Sequence, residues 1–129
     1  MLLDALISKE AAVEVEAQAI QVGPAVFLSN PAEFFVELGL DIKKQSLFPM
    51  TSIVELANGC VGYVPTEEAF GPNGGGYETR LTSYSNLEIT AGTQMVNAAI
   101  ELAKGLTPGS MPQRPKAPPF AAPWAYGNV

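Results

Sequence analysis

Histidine is absent from this sequence of 129 residues, and this absence is the most restrictive property of its composition. Histidine is the commonest metal ligand in proteins and the usual general base near neutral pH. Its absence excludes a Ser-His-Asp triad, a Cys-His dyad and a histidine-based zinc site built by this chain alone. Cys60 is the only cysteine, so no internal disulfide forms and cysteine usage does not indicate the compartment.

Basic residues are also scarce. The chain has 7 Lys and Arg against 13 Asp and Glu, a formal net charge of −6, and its basic residues are scattered. Such a chain repels phosphate backbones, so we expect no nucleic-acid partner. No apolar run approaches the length of a membrane-spanning helix, and the first residues lack the basic start of a signal peptide. We expect no membrane-spanning segment, and the localisation stays undetermined.

Apolar residues make up 47% of the sequence, which is enough for one core in a chain of this length. We expect one globular unit over residues 1–106. Residues 107–129 hold six prolines and little periodicity, which predicts an extended Pro-rich tail. Its aromatic residues Phe120, Trp124 and Tyr126 are expected to cover apolar surface on this domain or on a neighbouring copy.

The first half of the chain shows strand patterns and one helix. Apolar and polar residues alternate over 12–19, Gly23-Pro24 marks a turn, and 25–28 is an apolar run, which together predict a β-hairpin. Asn30, Pro31 and Glu33 have the types and spacing of a helix start with a capping box. The apolar stripe of this helix consists of Phe34, Phe35, Leu38 and Ile42.

The second half predicts a strand, a glycine-rich loop and a second helix. Residues 51–56 are rich in β-branched types, and 60–64 resume extended structure after an Asn-Gly turn. Thr66 is placed to cap one helical turn. Residues 72–76 are mostly glycine, which predicts backbone that is mobile or bent into conformations closed to other residues. The helical period over 93–106 rests on Val96, Ala99, Ile100 and Ala103.

These elements predict an α/β fold. The hairpin and the 51–64 region form a small mixed sheet, two helices cover one of its faces, and the tail is extended.

One block carries a family resemblance. Over 56–78 the sequence resembles neutral/alkaline ceramidases, whose pattern combines an Asn, a Tyr, a Thr, an acidic cluster and a Tyr-Glu pair. The resemblance includes 30–34 and extends over most of 11–106. Cys60 departs from the pattern, where a tyrosine is expected, and so does Ala32, where a glycine is expected. The matching residues are Asn58, Tyr63, Thr66, Glu67, Glu68, Tyr77 and Glu78.

The resemblance implies a zinc-dependent amidohydrolase that cleaves ceramide or a related lipid amide. In that family two histidines, a glutamate and a tyrosine hold the zinc ion, which activates a water. Glu33 and Tyr63 match the glutamate and the tyrosine, and Tyr77 is a candidate substrate-binding residue. The histidine positions lie outside this chain. We therefore expect half of a zinc site, no zinc bound by this chain alone, and no activity without a missing N-terminal half.

Each of these residues also has a purely structural interpretation. Glu33 completes the capping box, Tyr63 is a core tyrosine with a bonded hydroxyl, and Cys60 is a small buried apolar residue. The acidic pair Glu67 and Glu68 is a solvated surface turn. The glycine run at 74–76 lacks the lysine of a phosphate-binding loop.

The chain also has an interpretation without catalysis, as an oligomeric binding or assembly module. A sheet face left without its partner must be buried, and a second copy is the simplest partner. We therefore expect a homo-oligomer.

Overall fold

The computed structural model describes residues 12–116. In chain order the elements are β1 (Gln18–Val22), β2 (Ala25–Ser29), β3 (Glu33–Phe34), α1 (Val36–Gln45), β4 (Met50–Val54), β5 (Tyr63–Val64), a 3-10 turn (Glu67–Phe70) and α2 (Ala91–Lys104). The main sheet has the order β1-β2-β4, and β3 pairs with β5 in a second, smaller sheet.

The main sheet is mixed. β1 and β2 form the predicted hairpin and pair antiparallel from Gln18 with Ser29 to Val22 with Ala25. β2 and β4 pair in parallel, with Leu28 beside Ile53. The α/β architecture, with two helices on a small mixed sheet, is confirmed.

Both helices pack on one face of the sheet because each has one apolar stripe. Leu38 and Ile42 of α1 are buried, as their spacing predicts. Val26 and Leu28 of β2 are 0% and 1% exposed beneath the helices, so they lie at the centre of the core. The buried apolar residues are Val26, Leu28, Ala32, Phe34, Leu38, Ile42, Phe48, Val64, Ala91, Met95, Val96, Ala99, Ile100 and Ala103.

The second helix matches its prediction closely. α2 spans Ala91–Lys104, two residues earlier than the predicted 93–106, and Gly105 is its C-cap. Val96, Ala99, Ile100 and Ala103 are buried, as the helical period requires.

Two strands are shorter than their patterns predict. Residues 12–17 are not a strand, because β2 has five residues and pairs only with residues 18–22. β4 covers Met50–Val54 and not 51–56, since Leu56 has a φ of 51° and leaves the extended conformation.

The predicted helix start at residues 30–33 is wrong. α1 begins at Val36 with Phe35 as its N-cap. The Ala32 carbonyl accepts from Leu56 N at 3.2 Å, and Glu33 N donates to the Gly62 carbonyl at 2.9 Å. These long-range bonds use the backbone groups that a helical turn requires.

The structure describes the tail only as far as Lys116. Residues 107–116 form neither helix nor strand. Gly109 N donates to the Gly23 carbonyl at 3.2 Å, and Gln21 Nε2 donates to the Thr107 carbonyl at 2.6 Å. The tail therefore starts against the turn of the hairpin. Phe120, Trp124 and Tyr126 lie outside the described residues.

None of the helices within residues 12–116 is long and apolar enough to span a membrane.

Candidate functional site

The two short strands bring Glu33 and Tyr63 together. β3 and β5 pair in parallel, with Glu33 opposite Tyr63 and Phe34 opposite Val64. Phe34 and Val64 are 5% and 2% exposed, so they face the core. Because neighbouring side chains of a strand point to opposite faces, Glu33 and Tyr63 share the other face, and both are half-buried. The structure thus places two residues thirty positions apart side by side.

Tyr77 joins this pair. Its hydroxyl lies 3.2 Å from the Tyr63 hydroxyl, within hydrogen-bond distance. The two rings meet edge to face, with centroids 5.2 Å apart and an interplanar angle of 88°. Tyr77 directly follows the glycine-rich loop of residues 72–76. Within this loop, Gly75 and Gly76 have φ values of 123° and 125°. The prediction of glycine-specific backbone in this loop is confirmed.

We call Glu33, Tyr63 and Tyr77 the oxygen cluster. Its members are the two predicted metal ligands and the predicted substrate-binding residue, so the structure brings together all three. The cluster offers one carboxylate and two phenols.

The cluster holds the Tyr63 phenol in its protonated form. Hydrogen bonding with the Tyr77 hydroxyl, followed by the neighbouring Glu33 carboxylate, raises the pKa of Tyr63 well above its ordinary value. A negative charge on Tyr63 beside a carboxylate is unfavourable unless a cation compensates it. At neutral pH Tyr63 is therefore a hydroxyl group and not a phenolate.

The backbone of Tyr63 is held by a serine that the sequence did not indicate. Ser85 is 7% exposed, and its Oγ accepts from Tyr63 N at 3.0 Å. Thr82 Oγ1 in turn accepts from Ser85 N at 2.8 Å. Gly62 precedes Tyr63 with a φ of 76°. A glycine inside an extended run is a known mark of close backbone approach, and this was the available signal.

The loop from Glu55 to Gly62 supports the cluster from the other side. Val61 N donates to the Pro31 carbonyl at 2.8 Å, and Ala57 N donates to the Asn30 carbonyl at 3.0 Å. Glu55 Oε2 accepts from Phe34 N at 3.3 Å. The residues before Glu33 are thus hydrogen-bonded to the residues before Tyr63.

A cavity of about 210 Å³ opens beside Tyr63. Its buried lining includes Val64, Pro65 and Ala91. Its exposed lining includes Leu81 and Ile89, and three charged side chains also line it. These charged residues are Glu78, Arg80 and Glu88.

The oxygen cluster fits half of a zinc site. A carboxylate and a tyrosine are suitable oxygen donors, and a shared strand register places them together. Within residues 12–116, however, no three His, Cys, Asp or Glu residues are grouped to hold a metal ion. The sequence holds no histidine to add. Nitrogen donors from another polypeptide portion would be needed to complete a tetrahedral set.

Three other residues of the 56–78 block have a structural explanation. Cys60 is exposed in the loop before β5, so the prediction of a small buried apolar residue is wrong. The Asn58 backbone has a φ of 59°, a conformation that asparagine tolerates better than most residues. Thr66 Oγ1 accepts from Ala69 N at 3.3 Å and caps the 3-10 turn as predicted.

The acidic pair of that turn is exposed, as its solvated interpretation requires. Glu67 Oε1 accepts a hydrogen bond from Thr93 Oγ1 at 2.5 Å, which ties the turn to the start of α2. Glu67 and Glu68 are therefore not members of the oxygen cluster.

In comparisons with known proteins, no family model, no curated protein and no solved structure matches this chain.

Proposed function

We propose that this chain is the part of a ceramidase-like zinc amidohydrolase that supplies the oxygen ligands, and that it is inactive alone. The convergence of Glu33, Tyr63 and Tyr77 is the observation that supports this function. Glu33 and Tyr63 are thirty positions apart, and the glycine-rich loop lies between Tyr63 and Tyr77. The side chains of the three residues nevertheless lie together. A core tyrosine or a helix cap does not require that arrangement.

The roles of the three residues follow from their chemistry. Glu33 is the anionic ligand, and Tyr63 is the second oxygen ligand once it gives up its proton. Tyr77 donates a hydrogen bond from its hydroxyl to the carbonyl oxygen of a substrate amide. Zinc, when bound, would lower the pKa of a coordinated water so that it attacks the amide. The missing N-terminal half would add the two histidines.

Zinc titration with added imidazole tests this proposal, because imidazole replaces the missing histidine side chains. We expect the chain alone to bind zinc weakly, as an oxygen pair without nitrogen donors does. With imidazole held at one concentration, we expect the Glu33→Gln variant to bind zinc roughly tenfold more weakly than the parent chain, a loss of about 1.4 kcal/mol. Isothermal titration calorimetry measures both affinities.

Two further variants make the titration specific. Tyr63→Phe is expected to weaken zinc binding as Glu33→Gln does, because it removes the second ligand. Glu37→Gln removes an equal charge from the exposed first turn of α1 and is expected to leave the affinity unchanged. Equal affinities in the parent chain and all three variants would refute the proposed site.

The outer face of the sheet favours a second candidate, a non-catalytic module that assembles into a homo-oligomer. This face, opposite the helices, carries apolar side chains that are 39% to 62% exposed. It holds no charged side chain on its three strands. We propose that a second copy of the chain covers these side chains, because burial removes their apolar surface from water. The exposed apolar residues are Ile20, Val22, Phe27, Met50 and Val54.

The size of this face determines how tightly copies associate through it. Five residues along each of three strands cover about 250 Å² of sheet. A stable interface buries about 800 Å² per partner. We therefore expect weak association that rises with concentration, unless other surfaces also contribute.

Sedimentation velocity over a hundredfold range of concentration tests the homo-oligomer. We expect the average mass to rise with concentration, and the substitution Ile20→Glu to abolish the rise by placing a charge on the outer face. Val36→Glu adds the same charge at an exposed position of α1 and is the matched control. A strictly monomeric chain at the highest concentration would contradict this candidate.

A further inference from the structure

We propose that the cavity beside Tyr63 binds a short acyl group of an uncharged amide, and that it does not hold a long acyl chain. The inference rests on the proposed function for the amide end of the ligand. The acyl end rests on the cavity alone.

The position connects the cavity to the oxygen cluster. Tyr63 is a member of both, and the next two residues of the chain, Val64 and Pro65, form part of the cavity wall. A ligand whose carbonyl group contacts Tyr63 therefore has the cavity next to it. Two other cavities, one lined by residues of 12–17 and the start of α2 and one lined by residues of 43–52, include no member of the oxygen cluster.

The lining favours an apolar group. Val64, Pro65 and Ala91 are buried around the cavity, and Phe70 and Leu87 are half-buried in its wall. Leu81 and Ile89 are 54% and 51% exposed at the same opening. Large apolar side chains left exposed around a concavity are typical of binding sites.

The charges around the cavity favour an uncharged head group. Glu78 and Glu88 carry two negative charges against the single positive charge of Arg80, so the net charge is negative. A free carboxylate is repelled by this arrangement more than a neutral amide is. An amide is therefore a better ligand than the fatty acid with the same chain.

The volume sets the length of the chain. An apolar cavity of about 150 Å³ binds benzene, which has six carbon atoms. By that comparison a cavity of about 210 Å³ accommodates roughly six to eight heavy atoms. An acyl chain of six carbons fills it, while the end of a chain of twelve carbons remains in water.

A series of straight-chain amides tests the inference in the chain without added metal. We expect affinity to rise roughly three- to fourfold with each methylene from butanamide to hexanamide, since each buried methylene contributes about 0.8 kcal/mol. Beyond about seven carbons we expect each further methylene to leave the affinity almost unchanged. NMR titration of backbone amide shifts measures the affinities and places the ligand at Val64, Leu87 and Ile89.

Variants locate the binding in the cavity. Ile89→Trp fills the opening with an exposed side chain and is expected to reduce hexanamide affinity at least roughly fivefold. Leu102→Trp adds the same indole to the exposed side of α2 and is expected to have no effect. Leu81→Ser removes apolar lining without bulk and should reduce affinity roughly threefold or more. Circular dichroism checks that each variant is folded.

The outcomes separate this inference from the proposed function. If hexanamide binds and the affinity of the amide series stops rising beyond about seven carbons, the result supports binding in the cavity even if the zinc titrations fail. An unbroken gain up to dodecanamide, no binding of hexanamide at millimolar concentration, or equal binding by the Ile89→Trp variant would overturn the inference. Hexanoate binding more tightly than hexanamide would overturn the choice of an uncharged ligand.

Discussion

Substitution of Gly62 by alanine is expected to destabilise the protein by about 2–5 kcal/mol. Left-handed backbone costs a residue with a Cβ about 1–2 kcal/mol, and Gly62 has a φ of 76°. A Cβ there would also lie 2.6 Å from the Tyr84 carbonyl oxygen and would collide with Ser85 Oγ. Displacing Ser85 leaves the Tyr63 N–H without its partner, at a further cost of about 1–3 kcal/mol.

Urea denaturation of Gly62→Ala beside Gly23→Ala separates the two causes. Gly23 has a comparable φ of 56°, but a Cβ built on it meets nothing within 4 Å. We expect Gly23→Ala to cost about 1 kcal/mol, the conformational part alone. Equal losses in the two variants would show that the contact with Ser85 contributes nothing. Because small domains have only about 5–15 kcal/mol of stability, the Gly62 variant should be largely unfolded in moderate urea.

Gly62→Ala also bears on the oxygen cluster. Tyr63 follows Gly62 directly, so a shift of the backbone there moves the phenol away from Tyr77 and Glu33. In conditions where the variant is still folded, we expect it to lose the zinc binding that imidazole supports in the parent chain. Gly23→Ala should keep that binding, since Gly23 belongs to the hairpin of the main sheet and Glu33 and Tyr63 lie on the β3–β5 pair.

Truncation of Leu28 to alanine is expected to destabilise the protein by about 2–5 kcal/mol. Leu28 is 1% exposed at the centre of the sheet, with Ala19 beside it on β1 and Ile53 beside it on β4. The loss combines the transfer of buried methyl groups with the cavity that remains between the sheet and the helices. Chemical denaturation at low protein concentration measures it.

Phe27→Ala is the matched control, because Phe27 precedes Leu28 on the same strand but faces the outer side. It is 39% exposed, and we expect its truncation to cost less than half as much, although it removes a larger side chain. A greater loss for Phe27→Ala would mean that the outer face is buried by an element or by another copy. The comparison therefore also bears on the homo-oligomer.

The helices were predictable from the sequence because their signals are local. Leu38 and Ile42, and the four apolar residues of α2, recur at the helical period, and each is buried. The hairpin was predictable for the same reason, since the Gly-Pro turn lies between a segment of alternating apolar and polar residues and a short apolar run. The errors at the helices are limited to their ends, whereas β1 lies at Gln18–Val22 and keeps only two of the residues of the predicted strand 12–19, because pairing with β2 decides its position.

The region around Glu33 was not predictable from local pattern. Asn30, Pro31 and Glu33 have the residue types of a helix start, yet Glu33 lies in a strand. The deciding interactions come from residues about thirty positions later, where Gly62 accepts from Glu33 N. No local propensity encodes a partner at that distance. Ser85 was missed for the same reason, because serine in a loop carries no signal of its own.

The sequence by itself determined the composition limits: no histidine, so no complete histidine-based zinc site, and an acidic charge that disfavours nucleic acid. It also determined the apolar periods that give two helices and a sheet with one covered face. Only the tertiary structure decided that Glu33, Tyr63 and Tyr77 meet. Their meeting depends on backbone hydrogen bonds between distant segments and on a left-handed glycine that lets the chain pass close to Ser85.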